Sequence, residues 1–169
     1  MERRELLGWL EVQKLIDMLL AQFDQEFSAM VMITRGGIMP GGMLSESMNM
    51  QNIYTASVDF PAEMETSTQT PRFLSLPTFL EFPKTANLKG RNVLVVDDVW
   101  GSGRTITSVR QRIVTEGGKP YTCVMHFNPY RSLFGTVRPD YYAAITDAYI
   151  VYPWEADRGF QTRLFSRAS

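Results

Sequence analysis

The chain has 169 residues, with 17 basic and 18 acidic side chains and a formal net charge of −1. That balance leaves no basic footprint for nucleic acid, and no apolar run reaches the roughly 20 residues that a membrane-spanning helix needs. The length suits one domain with a normal core, and a lone cysteine, Cys123, excludes an intrachain disulfide and points to a reducing cytoplasm.

The opening Met-Glu-Arg-Arg-Glu leads into an amphipathic helix rather than a secretory signal. Trp9, Val12, Ile16, Leu19, Leu20 and Phe23 recur at three and four, which marks one face of that helix. Met30 to Thr34 reads as a short apolar strand, Arg35 to Gly42 as a glycine-rich loop, and Met43 to Met48 as a helix. Ile53 to Phe60 is the second strand. Residues 61–90 then change character, because Pro61, Pro71, Pro77 and Pro83 punctuate a polar stretch. A loop of this length predicts a lid, a small subdomain or disorder. A strand over 93–97 and a helix over 104–116 follow, with Gly117-Gly118 as the stop signal. Tyr121 to Phe127, Tyr141 to Ala144 and Ala148 to Tyr152 are further strands. Cys123 falls inside one of them, where a buried thiol is inert. Strands alternating with helices predict an α/β domain with a parallel sheet flanked by helices.

Two segments carry chemistry. In the first, the apolar run Val93 to Val96 ends in Asp97 and Asp98, and Gly101-Ser-Gly-Arg-Thr105 opens into a helix. A strand, a glycine turn and a helix N-terminus form an anion site, since backbone N–H groups converge there and the helix dipole favours negative charge. Ser102 and Thr105 add hydroxyl donors. Neither a P-loop nor a dinucleotide fingerprint fits, because the glycine spacing is wrong for both. In the second segment, Ile33-Thr-Arg-Gly-Gly-Ile-Met-Pro-Gly-Gly42 repeats the same logic, and Arg35 adds a forked, permanent cation.

The first segment resembles the 5-phosphoribosyl-1-pyrophosphate (PRPP) signature of type I phosphoribosyltransferases, and Thr34-Arg-Gly-Gly37 is similar to the pyrophosphate loop of that family. The resemblance covers about residues 28–158 and implies the type I phosphoribosyltransferase fold, with residues 61–90 as a flexible lid and 141–169 as a small C-terminal hood. It implies that Asp97 and Asp98 act at the ribose diol and near metal. Gly101, Ser102, Gly103, Arg104 and Thr105 would bind the 5-phosphate. Arg35, Gly36, Gly37 and Arg158 would contact pyrophosphate, with a non-proline cis bond at Arg35–Gly36. Mg²⁺ would be held mostly by ligand oxygens and water. Lys84, in the lid, would face phosphate.

Tyr149-Ile-Val-Tyr-Pro-Trp-Glu155 resembles the base-binding end of the purine members, nearest the xanthine-guanine and hypoxanthine branch. By that resemblance Tyr149 stacks on the base, Ile150 offers main-chain contacts, and Glu155 lies near metal or the exocyclic group. Tyr152 and Trp154 serve equally as packing aromatics. Three positions depart from the pattern. Gly101 replaces the acid that accepts the purine proton, Asn128 replaces a base-reading Lys, and Trp100 replaces an aliphatic residue. An Asn amide can donate to an oxo group or accept from an amino group. His126, the only histidine, is a candidate base, although a strand histidine is more often a hydrogen-bonded packing residue. The expected reaction transfers phosphoribosyl from PRPP to a nucleobase, most simply a purine, releasing pyrophosphate. The alternative is a PRPP- or nucleotide-binding regulator, or a catalytically weak relative that still binds nucleoside monophosphate. The expected protein is a cytoplasmic homodimer with no nucleic-acid or membrane partner, and the Met-rich segment Met39 to Met50 is either its contact or part of the core.

Overall fold

In a computed structural model of the chain, residues 3–60 and 76–156 are described. The elements run β1 (Arg4–Leu6), α1 (Trp9–Leu20), β2 (Ala29–Ile33), α2 (Ile38–Ser47), β3 (Ile53–Asp59), β4 (Thr78–Glu81) and α3 (Thr85–Leu88). They continue through β5 (Asn92–Trp100), α4 (Arg104–Thr115), β6 (Lys119–Phe127), β7 (Tyr141–Ile145), β8 (Tyr149–Val151) and α5 (Pro153–Ala156). Six strands form one sheet in the order β4-β3-β2-β5-β6-β7, parallel except for β4 at its edge. A separate pair, β1 with β8, is also parallel.

Side chains alternate across a strand, and here both faces are covered. Met30, Met32, Leu94 and Val96 pack with Val12, Ile16 and Leu19 of α1 and Leu44 of α2. On the opposite face Val31, Ile33, Val93 and Val95 pack with Ile106, Val109 and Ile113 of α4. This sandwich brings the carboxyl ends of β2 and β5 side by side. Open α/β sheets bind ligands at such strand ends.

Several expectations shift. Helix α2 starts at Ile38, inside the predicted glycine loop. Pro40 sits in its first turn, where an N–H would have no helical partner. Strand β5 runs past its two acids to Trp100, because β6 keeps pairing with it as far as Trp100↔Phe127. Within the expected lid, Thr78–Glu81 pairs with β3 as β4, and Thr85–Leu88 forms α3. Residues 61–75 lie outside the described residues. Of the expected hood, β7 belongs to the main sheet, and β8 leaves it to pair with β1. The Met39 to Met50 segment faces inward: Leu44 is fully buried, and Met43, Met48 and Met50 pack against the same core. No helix among the described residues is long and apolar enough to cross a membrane.

Candidate active site

Beyond β2 the chain turns sharply. A cis peptide joins Thr34 to Arg35, one bond earlier than expected. The Thr34 amide donates to the Ala56 carbonyl at 2.9 Å, which holds this turn to β3. The turn presses Gly36 against the acids of β5. A Cβ built on Gly36 would lie 2.6 Å from Asp98 Cγ and Oδ1 and 2.8 Å from Asp97 Oδ1. Only glycine fits so close an approach.

The two acids are held by successive amides. Asp97 Oδ1 accepts from the Asp98 N–H at 2.9 Å, and Asp98 Oδ1 accepts from the Val99 N–H at 2.7 Å. Burial, and then the charge of Asp98, push the Asp97 carboxyl well above the usual carboxylate range. Burial also raises Asp98, and the negative charge of Glu155 adds to it. Among the described residues no cation forms an ion pair with Asp97, Asp98 or Glu155. Such a floor is electrostatically unfinished, and it suits hydroxyl donors and a hard cation.

The acids form part of a cavity of about 350 Å³, lined also by Thr34, Arg35, Gly36, Thr105, Trp154 and Glu155. Beside it lies the turn after β5. Gly103 caps α4 with φ at 80°, a left-handed conformation that favours glycine. A Cβ there would also stand 2.3 Å from Trp100 Nε1. Trp100, the odd residue of the signature, is a prop under this turn. It is buried, meets Phe127 edge to face at 6.0 Å, and donates its indole N–H to Ser132 Oγ at 3.2 Å. The Leu133 amide donates to the Ser102 carbonyl at 3.0 Å, so the loop after β6 also braces the turn. The Arg104 guanidinium lies over the Phe60 ring, 4.2 Å from its centroid. Gly101 faces open space, since a Cβ there meets nothing within 4 Å.

The base-reading candidates divide. Asn128 is buried and does not line the cavity, and its Oδ1 accepts from the Tyr130 and Arg131 amides, each at 3.2 Å. That commits the oxygen to a local turn and leaves the NH₂ group as its free function. Tyr149 and Ile150 do not line the cavity. Arg4 lies 5.6 Å from the centroid of the Tyr149 ring, and Ile150 is buried in the core beside α1. Trp154 supplies the cavity's aromatic wall, stacked on Tyr152 at 4.6 Å and 3°. Its place directly before Glu155 was the signal for it. Lys84 precedes α3 and does not line the cavity. Arg158 lies outside the described residues.

His126 is turned to another use. Its Nδ1 lies 2.8 Å from the Tyr152 hydroxyl, which donates to the Asp98 carbonyl at 3.0 Å. Burial pushes its imidazole down to about 4. The ring is therefore neutral near pH 7, and its Nδ1 is occupied. Burial likewise pushes the Cys123 thiol up, as expected for an inert strand cysteine.

A family model described as "Phosphoribosyl transferase domain" matches residues 4–154. The xanthine-guanine phosphoribosyltransferase of Gluconobacter oxydans is 27% identical over 144 residues, which cover 84% of this chain and 77% of that protein. The purine phosphoribosyltransferase of Pyrococcus horikoshii superposes with a TM-score of 0.74 at 25% identity, covering 90% of this chain and 93% of that one. The xanthine-guanine-hypoxanthine enzyme of Helicobacter pylori gives a TM-score of 0.75 at 17% identity, over 97% of this chain and 99% of its own. This last likeness is one of fold.

Proposed function

Because the chain belongs to the phosphoribosyltransferase family, we propose that its cavity binds PRPP and transfers the phosphoribosyl group to an oxopurine, releasing pyrophosphate. The observation that carries this reading is the packing of the Arg35-Gly36 turn directly onto Asp97 and Asp98. That contact puts a cationic anion-binding loop, a pair of acids and a second phosphate turn around one space.

In this reading the carboxylates of Asp97 and Asp98 accept from the ribose hydroxyls, and the 5-phosphate rests on Gly101 to Thr105. Arg35 and the amides of Gly36 and Gly37 hold the pyrophosphate, with Arg158 as a further contact. The bond from ribose C1 to pyrophosphate breaks, C1 bonds to a ring nitrogen of the purine, and the purine loses its N–H proton. Gly101 offers no acceptor for that proton. His126 is buried and bonded to Tyr152, so the acceptor is Glu155 or water. Asn128 lies behind the cavity lining; were it to reach the base, its one free group, the NH₂, would suit a 6-oxo group better than a 6-amino group. The Gluconobacter relative is named for xanthine and guanine, which supports the same acceptor class. Tyr149 would join the base site only by leaving Arg4, whereas Ile150 stays in the core and paired with β1.

The unpaired acids fit Mg²⁺. Among the described residues no three His, Cys, Asp or Glu side chains could hold a metal by themselves, so Asp97, Asp98 and Glu155 would share it with ligand oxygens and water. When bound, it would neutralise pyrophosphate charge. With β4 and α3 built into the fold and β7 into the main sheet, the lid would be confined to the segment before β4, and the hood of a cytoplasmic homodimer would begin at β8. The test is direct: incubate the protein with Mg-PRPP and hypoxanthine, guanine, xanthine or adenine, and measure nucleotide and pyrophosphate. Nucleotide from an oxopurine is expected. Tight PRPP binding without turnover of any base would overturn the assignment as an enzyme.

A further inference from the structure

We propose that Tyr152 and His126 are positioning residues that lock the acid pair from behind and tie it to the hood. This rests on the PRPP reading of the cavity. Pairing between β2 and β5 ends at Met32↔Val96, so Asp98 lies two residues past its last β2-paired neighbour. There the Tyr152 hydroxyl donates to the Asp98 carbonyl at 3.0 Å. A tyrosine hydroxyl has one hydrogen, and this bond uses it. The 2.8 Å contact with His126 therefore has His126 Nδ1–H donating to the Tyr152 oxygen, which fixes the tautomer. Tyr152 and His126 are both buried, at 1% and 5% exposure, so water does not replace either bond.

The same tyrosine reaches the hood by two other routes. Its ring stacks on Trp154, and its amide donates to Glu155 Oε2 at 3.1 Å. The hydroxyl thus serves the ribose side of the cavity, whereas the ring and amide serve the base side. These functions are separable by mutation. Neither residue lines the cavity, so each acts through a neighbour.

Tyr152→Phe keeps the ring and loses the hydroxyl. It is expected to weaken Mg-PRPP by about tenfold, the value of one buried hydrogen bond, while the KM for the purine stays within about twofold. His126→Asn carries an N–H at the same place as Nδ1 and should retain PRPP affinity, whereas His126→Leu should lose it as Tyr152→Phe does. The measurements are calorimetric Kd for Mg-PRPP and steady-state KM for the purine, with circular dichroism confirming the fold. A purely structural role would weaken PRPP and purine together, and would give no rescue by Asn. Either result, or unaltered PRPP affinity in Tyr152→Phe, overturns the proposal. If Tyr152→Phe does not fold, the two His126 variants decide it. Failure of the unaltered protein to bind PRPP would instead overturn the cavity's assignment, and this inference with it.

Discussion

The α-carbon of Gly36 rests on the Asp98 carboxylate so closely that a methyl group there would stand 2.6 Å from its Oδ1. The loop proposed to meet pyrophosphate and the acid proposed to meet ribose therefore cannot be adjusted independently. Gly36→Ala should force the carboxylate to turn or the loop to lift, weakening Mg-PRPP by about two decades or more. Calorimetry checks this, with a thermal melt to show that the fold survives. Unchanged affinity would show that the loop has slack.

Arg35 is exposed at the cavity rim and would contact only the pyrophosphate end of the ligand. A lost hydrogen bond to a charged group costs about 1.5–3 kcal/mol, so Arg35→Ala should weaken PRPP by roughly one to two decades. Affinity for a nucleoside monophosphate, which lacks that group, should barely change. Equal losses for both ligands would assign Arg35 a structural role instead.

Stability should respond to His126 between pH 6.5 and about 4. Burial lowers the folded pKa, so the folded ring stays neutral through this window while the unfolded chain takes up a proton. The contribution is complete above pH 6.5, is lost as pH falls, and levels off below about 4. Its full size is on the order of 3 kcal/mol. Asp97 and Asp98 act in the opposite sense, because their raised folded values favour the folded state as pH falls. Denaturant unfolding of the unaltered protein and of His126→Asn at pH 7.5 and pH 5 separates these effects. The variant should lose less stability on acidification. An identical loss in both proteins would contradict the neutral, buried imidazole.

Gly101 stands where the family resemblance implies a proton acceptor, and the space around it is open. Its φ is not positive, so a side chain brings neither clash nor backbone strain. Gly101→Asp should therefore fold normally and raise oxopurine turnover, by about tenfold to a hundredfold if proton removal limits the rate. Steady-state kinetics with hypoxanthine, guanine and xanthine read this out. No increase would place the rate-limiting step elsewhere, for example in product release.

The acid pair and the phosphate turn were legible because Val93 to Thr105 is contiguous: strand, acids, turn and helix start follow one another in the chain. The same holds for Thr34 to Gly37, although the cis bond falls one residue early. Partnerships made across the fold leave no such trace. Strand β1 exists only because Arg4 to Leu6 pairs with Tyr149 to Val151, and three residues carry no periodicity. Trp100 looked anomalous until Gly103 and Ser132 were seen around it. That His126 is a hydrogen-bonded packing residue could be expected of a strand histidine, but its partner, Tyr152, could not be named because it lies on a distant segment. The motif from Tyr149 to Glu155 does not say which ring faces inward, since Tyr149 and Trp154 share it and only Trp154 lines the cavity.

Three carboxylates that pair with no cation among the described residues have a consequence outside catalysis. Mutual repulsion and lost hydration weigh on the empty protein, and any ligand that relieves them favours the native state by mass action. At a ligand concentration 100 times its Kd this amounts to about 2.7 kcal/mol, enough to shift the fraction of chains exposed to proteolysis roughly a hundredfold. The protein's lifetime in the cell should thus track the supply of its own substrate. Starved of it, the cell would shed the enzyme without any dedicated regulator.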